Sequence, residues 1–145
     1  MSGYPKEEMT PFERVSANFR GEPTDRICIG WLGRKETGIG LPQVTVADVV
    51  RDKSGVLLHK GIKAITEKFW PDVINVTTYT TVEAVAIGTK DKYFKDQLPA
   101  PIDYVIKNVE DLDRVHIPDP RVDGDLPTIY NALKKTVRDF GNHVS

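Results

Sequence analysis

The segment Pro71–Gly88, PDVINVTTYTTVEAVAIG, constrains the fold more than any other part of the chain. Pro71 and Asp72 open it with a turn signal. Val73, Ile74 and Val76 form a β-branched run suited to a strand buried on both faces. Thr77, Thr78, Tyr79, Thr80 and Thr81 then set five hydroxyls in a row, too polar for a core. From Val82 the pattern turns helical: Val82, Ala84, Val85, Ala86 and Ile87 are apolar, Thr81 can cap the start, and Gly88 can stop the helix. The segment reads as strand, polar elbow, helix. Ligands of parallel α/β folds bind at the carboxyl ends of strands, where such elbows lie. The plain alternative is a solvated βα loop whose hydroxyls bond their own backbone.

The preceding chain follows the same logic. Residues 1–9 form a loose lead-in. Thr10, Pro11 and Glu13 make a capping box with proline at the first helical position. Phe12, Val15 and Phe19 lie on one face of the helix that follows, and Gly21 ends it. Arg26 leads into Ile27-Cys28-Ile29, a short strand. The loop Gly30–Gly40 holds four glycines, but their spacing fits neither a dinucleotide fingerprint nor a Walker motif. Arg34 in that loop follows a strand directly and can meet an anion as a bidentate donor; the plain reading is a surface arginine. Thr45 can cap a short helix through Val46, Val49 and Val50. Ser54 can cap a longer one with Leu58, Ile62, Ile65 and Phe69 as its buried stripe, and His59 beside it reads as a packing or surface residue.

Beyond the central segment, Tyr93-Phe94 reads as a brief strand, and Ile102, Tyr104 and Ile106 alternate like another. Asn108 can cap a short turn. Ile117-Pro118-Asp119-Pro120 cannot be regular structure. Asp125 can cap a last helix, with Pro127 in its first turn and Ile129, Tyr130, Leu133, Val137 and Phe140 as its apolar face. The expected fold is α/β, with parallel strands near 26–31 and 72–78 and helices near 11–20, 55–69 and 126–140. Ile29, Ile62, Ile65, Val73, Ile74, Leu133 and Val137 are expected to be buried. His143-Val144-Ser145 reads as the start of a further strand. A closed parallel barrel needs about 250 residues, so the 145 residues read as one incomplete domain, the first part of a barrel.

A net charge of −1 gives no bulk attraction to nucleic acid or anionic membrane, and no run approaches a membrane span. The N-terminus lacks a signal-peptide core, and the single cysteine, Cys28, excludes an intrachain disulfide. These features fit a cytoplasmic protein. Cys28, His59, His116 and His143 have no metal-ligand spacing, so no metal site is expected.

Three segments resemble the uroporphyrinogen decarboxylase superfamily, which includes the decarboxylases of haem synthesis and the cobamide-dependent methyltransferases. They are Phe12-Glu13-Arg14 to Gly21-Glu22-Pro23-Thr24-Asp25-Arg26, then Val82 to Gly88, then Val109-Glu110-Asp111-Leu112-Asp113 through Pro118-Asp119-Pro120 to Asp123-Gly124-Asp125-Leu126-Pro127. The resemblance implies the N-terminal part of a (β/α)8 TIM-type barrel. In the decarboxylases a loop after the first strand carries two arginines for substrate carboxylates. Trp31-Leu32-Gly33-Arg34 matches the first, and Thr37, Gly38 and Ile39 offer no second. Those enzymes also place an essential aspartate after the next strand, where Tyr79 stands here. A hydroxyl cannot supply the charge that stabilises a protonated pyrrole.

The Glu83-Ala84-x-Ala86-x-Gly88 pattern and the Pro118–Gly124 segment resemble the methyltransferase branch more closely. That likeness implies methyl transfer to or from a corrinoid, with zinc and a corrinoid belonging to a complete parent enzyme and a corrinoid protein as a partner. Arg34, Thr78, Tyr79 and Glu83 are the expected substrate-binding residues, with Glu83 alternatively a partner of the helix dipole. Two other readings stand beside this one: uroporphyrinogen decarboxylation, and a non-catalytic domain that acts by assembly with a partner, the remaining barrel half or itself.

Overall fold

A computed structural model describes residues 7–31, 41, 43–95 and 97–142. Helix α1 spans Pro11–Arg20 and starts in the expected capping box: Glu13 N donates to Thr10 Oγ1 at 3.2 Å, and Thr10 N donates to the Glu13 carboxylate at 2.8 Å. Gly21 closes it in the left-handed region, at φ +68°. The buried face differs from the expected one. Phe12 and Phe19 are exposed, and Pro11, Arg14 and Ala17 point inward. Hydrophobic spacing alone missed this, because what lies beneath α1 is a set of carboxylates.

Strand β1 (Gly30–Trp31) pairs in parallel with β2 (Val73–Ile74), with Gly30 opposite Val73 and Trp31 opposite Ile74. The pair is parallel as expected and shorter than the sequence suggests. Ile74 and Val76 face a core of Val49, Leu58, Ile62 and Ala132. Val73 lies on the other side, in a groove of about 300 Å³ with Val15, Phe19 and Gly30. Val73 and Ile74 are therefore half-buried, and Ile29 is half exposed, against expectation.

Between the strands lie α2 (Val46–Arg51), capped by Thr45 as expected, and α3 (Val56–Phe69). Ser54 is not the principal cap of α3. The Asp52 carboxylate accepts from Leu57 N at 2.8 Å, and Gly55 occupies the cap position at φ +66°. Leu58, Ile62 and Ile65 are buried. Each removes enough apolar area to contribute about 1.5–3 kcal/mol. Phe69 is 56% exposed and stacks on Trp31, ring centres 6.1 Å apart.

After β2 come α4 (Val82–Ala86), an antiparallel hairpin of β3 (Lys90–Lys92) with β4 (Ala100–Asp103), a 3-10 helix over Val109–Arg114, and α5 (Leu126–Phe140). The hairpin replaces the two separate strands expected near Tyr93 and Ile102. Thr81 does not cap α4; its hydroxyl donates to Asp91 Oδ2 at 2.7 Å.

The inward face of α5 is Pro127, Thr128, Ala132, Thr136 and Phe140. Leu133 and Val137 are 45% and 59% exposed, a correction to the sequence reading. Close packing explains the choice. A Cβ on Gly55 would lie 2.4 Å from Ala132 N, so small residues must face α3 there. Thr128 Oγ1 donates to Val50 O at 2.9 Å, and His59 Nδ1 lies 3.2 Å from Thr136 Oγ1, so the hydroxyls on this face are satisfied.

Candidate functional site

The elbow after β2 leads to the carboxyl end of the parallel pair. Tyr79 is 2% exposed and packs with Val50 and Val82. Its phenol donates to Asp125 Oδ2 at 2.5 Å, and Tyr93 donates to the same oxygen at 2.6 Å. Lys53 donates to Asp125 Oδ1 and, at 2.6 Å, to Gly124 O. Four segments thus converge on one carboxylate: the elbow, the α2–α3 turn, the end of β3 and the start of α5. The loop that delivers it is tight. Gly124 has φ +52°, and a Cβ there would lie 2.8 Å from Ala86 N. Asp123 braces the loop by accepting from Asp119 N at 2.8 Å.

Burial disfavours the charged form of Asp125, but Lys53 and the two phenols outweigh it and hold the carboxyl below its ordinary value. Burial and the Asp125 carboxylate push the Tyr79 hydroxyl well above the usual phenol range, and Tyr93 is pushed up to about 12. Both phenols stay neutral at neutral pH. Asp125 accepts on both oxygens, so it positions its neighbours and offers no free basic oxygen.

Of the expected site residues, Arg34 lies outside the described residues. Thr78 and Tyr79 lie together at this end of the strands. Thr78 is 4% exposed, and its hydroxyl has no partner among the described residues. Glu83 is exposed in the first turn of α4. Thr80 is exposed, so the five hydroxyls do not form one continuous rim. Sequence reasoning missed Lys53 and Tyr93 and took Asp125 for a helix cap; it makes no such bond. The Asp123-Gly124-Asp125 turn beside Pro127 was the available signal, since such a turn can aim a carboxylate away from its own helix.

At the opposite end of the pair lies a second charged cluster. Arg14, 0% exposed, bonds Asp72, Asp25 at 2.7 Å and Glu7 at 2.8 Å. Arg26 bonds Glu7 and Asp72, each at 2.7 Å, and Asp72 Oδ2 accepts from Ile29 N at 2.8 Å. Asp72 N also donates to Ile29 O at 2.7 Å, where the strands begin. This cluster pins α1 and the lead-in to the amino end of the sheet, the stability face of a parallel barrel. It accounts for Arg14, Asp25 and Arg26 in the first motif.

Among the described residues, no three His, Cys, Asp or Glu side chains converge as a metal site. Burial pushes the Cys28 thiol up, the opposite of a thiolate prepared for zinc. No described helix is long and apolar enough to cross a membrane.

A family profile described as Uroporphyrinogen decarboxylase (URO-D) matches residues 10–145. A solved structure, a methyltransferase from Methanosarcina mazei, superimposes with a TM-score of 0.74 at 20% identity. The superposition covers 94% of this chain and 41% of that one, so the chain spans less than half of that neighbour's length. No curated protein matches the sequence. The shared fold is a TIM-barrel-like α/β fold, of which this chain carries part.

Proposed function

The chain belongs to the uroporphyrinogen decarboxylase family, and from that premise we propose that it is the N-terminal segment of a methyltransferase moving a methyl group to or from a corrinoid. One observation carries the choice of branch. In the elbow between β2 and α4 stands Tyr79, and the carboxylate it meets, Asp125, is committed to three donors. A decarboxylase needs an ionised carboxylate turned toward a pyrrole at this position. The methyltransferase identity of the structural neighbour supports the same branch.

In this reading Thr78, whose hydroxyl has no partner among the described residues, binds substrate together with Arg34, while Tyr79 holds the elbow and Glu83 lines the outer rim. Zinc, in a complete enzyme, would lower the pKa of a thiol methyl acceptor. The described residues do not fit that metal, so no step of this chain is routed through it. The partners are the remaining barrel units and a corrinoid-bearing protein. The uncovered groove beside Val73 and the exposed Phe12 and Phe19 support assembly with further barrel units.

Incubation of the full parent protein with uroporphyrinogen tests the branch. No coproporphyrinogen is expected. Its accumulation at an enzymatic rate would move the assignment to the decarboxylases.

A further inference from the structure

A cleft of about 360 Å³ lies between α2 and the segment Tyr93–Lys95. Arg51 projects into it from the last turn of α2, with its guanidinium 5.1 Å from the centre of the Tyr93 ring. Lys95 lines the same cleft. Among the described residues neither cation has a carboxylate within ion-pair distance. Asp48 also faces the cleft, but its carboxylate accepts from Thr45 N at 2.9 Å and Thr45 Oγ1 at 2.7 Å. Hydrogen bonds from Thr45 chiefly hold the Asp48 carboxyl below its ordinary value, and the charges of Arg51 and Lys95 add to that. Both cations therefore act on the same small volume. Tyr93 forms a fixed wall, because its hydroxyl is anchored to Asp125.

We propose that this cleft binds an oxyanion group, a phosphate or carboxylate carried by a small molecule, between Arg51 and Lys95. The guanidinium supplies paired donors in a planar fork, and the lysine adds a mobile point charge. The aromatic wall sets the plane of Arg51 before a ligand arrives. Among the described residues that line the cleft, two cations face one committed carboxylate, which leaves a net positive charge. The inference is independent of the methyl-transfer reading, since it rests on α2 and Tyr93–Lys95 alone.

Calorimetric titration of the protein with inorganic phosphate, and separately with succinate, at constant ionic strength set by chloride tests it. Saturable binding of at least one is expected, and the preferred anion identifies the group. Arg51→Gln should weaken it by about tenfold or more and Lys95→Gln by about threefold or more, each tenfold corresponding to about 1.4 kcal/mol. Lys134→Gln, which removes a cation over the Tyr130 ring outside the cleft, should leave it unchanged. Urea midpoints equal to that of the parent would show that the variants are folded. Absence of saturable binding, or binding that survives both Arg51→Gln and Lys95→Gln, would overturn the proposal.

Discussion

Tyr79 donates its phenolic proton to Asp125 Oδ2 at 2.5 Å, across 46 positions of sequence. The bond ties the elbow after β2 to the residue that precedes α5. It closes the long excursion of α4, the hairpin and the 3-10 helix back onto the barrel segment. With Tyr93 and Lys53 on the same carboxylate, one acidic side chain fixes the carboxyl-end surface.

Removing the acceptor should cost more than removing one donor. Asp125→Ala strands two phenols and is expected to lose about 3 kcal/mol, whereas Tyr79→Phe loses about 1 kcal/mol. Urea unfolding of the two variants measures the difference. Equal losses would mean that Tyr93 and Lys53 contribute nothing to the cluster.

Breaking the charged cluster under α1 should be severe. Arg14→Met leaves Asp72 buried beside an apolar side chain and is expected to cost about 3–5 kcal/mol. Arg20 on the same helix pairs with Glu22 in solvent, and Arg20→Gln should leave the urea midpoint unchanged. A small effect of Arg14→Met would show that the cluster is hydrated and loose.

Acid should weaken the fold through the same residues. Arg14 holds the Asp25 carboxyl well below the usual range, and the hydrogen bond from Arg26 lowers that of Glu7. Burial opposes the charge of Asp72, but bonds from Arg26, Ile29 N and Arg14 prevail and lower it too. In the unfolded chain these groups regain ordinary values, about 4. Below about pH 5 the unfolded state therefore binds more protons, and stability declines as pH falls further. The contribution is complete at neutral pH. Urea midpoints measured from about pH 7 to about pH 3 should fall steeply for the parent and more gently for Arg14→Met. Parallel curves would remove the cluster as the cause.

Two glycines with nearly the same backbone angle should respond differently to a methyl group. Gly21 has φ +68° with no atom of the described residues within 4 Å of its Cβ position, and Gly21→Ala should cost about 1 kcal/mol. Gly55 has φ +66° and meets Ala132 N at 2.4 Å and Thr128 O at 2.7 Å. Gly55→Ala should add about 1–3 kcal/mol of overpacking to the backbone strain. Similar urea midpoints for the two variants would contradict the close approach of α3 and α5.

Much of the fold was legible in the sequence, because local chemistry set it. Thr10-Pro11-x-Glu13 and Gly21 bounded α1, and Val73-Ile74 marked the parallel partner of the first strand. The inward faces were less legible. A heptad-like apolar stripe at Leu133 and Val137 lost to Thr128, Ala132 and Thr136, since only small groups fit against Gly55. Phe12 and Phe19 lost to Arg14 because three carboxylates, far apart in sequence, meet beneath it. At the site, Tyr79 was legible as a residue of the polar elbow between the strand and the helix. Its partner was not, since nothing local links Asp125 to it.

We propose methyl transfer, and not decarboxylation, as the chemistry this segment serves. The most direct measurement follows the visible absorbance of a methylcobamide mixed with the full parent protein and a thiol acceptor. Loss of the methyl–cobalt band, with matching formation of the methyl thioether, is the predicted result. A band that stays constant with every thiol tried, while the same preparation converts uroporphyrinogen to coproporphyrinogen, would contradict the claim.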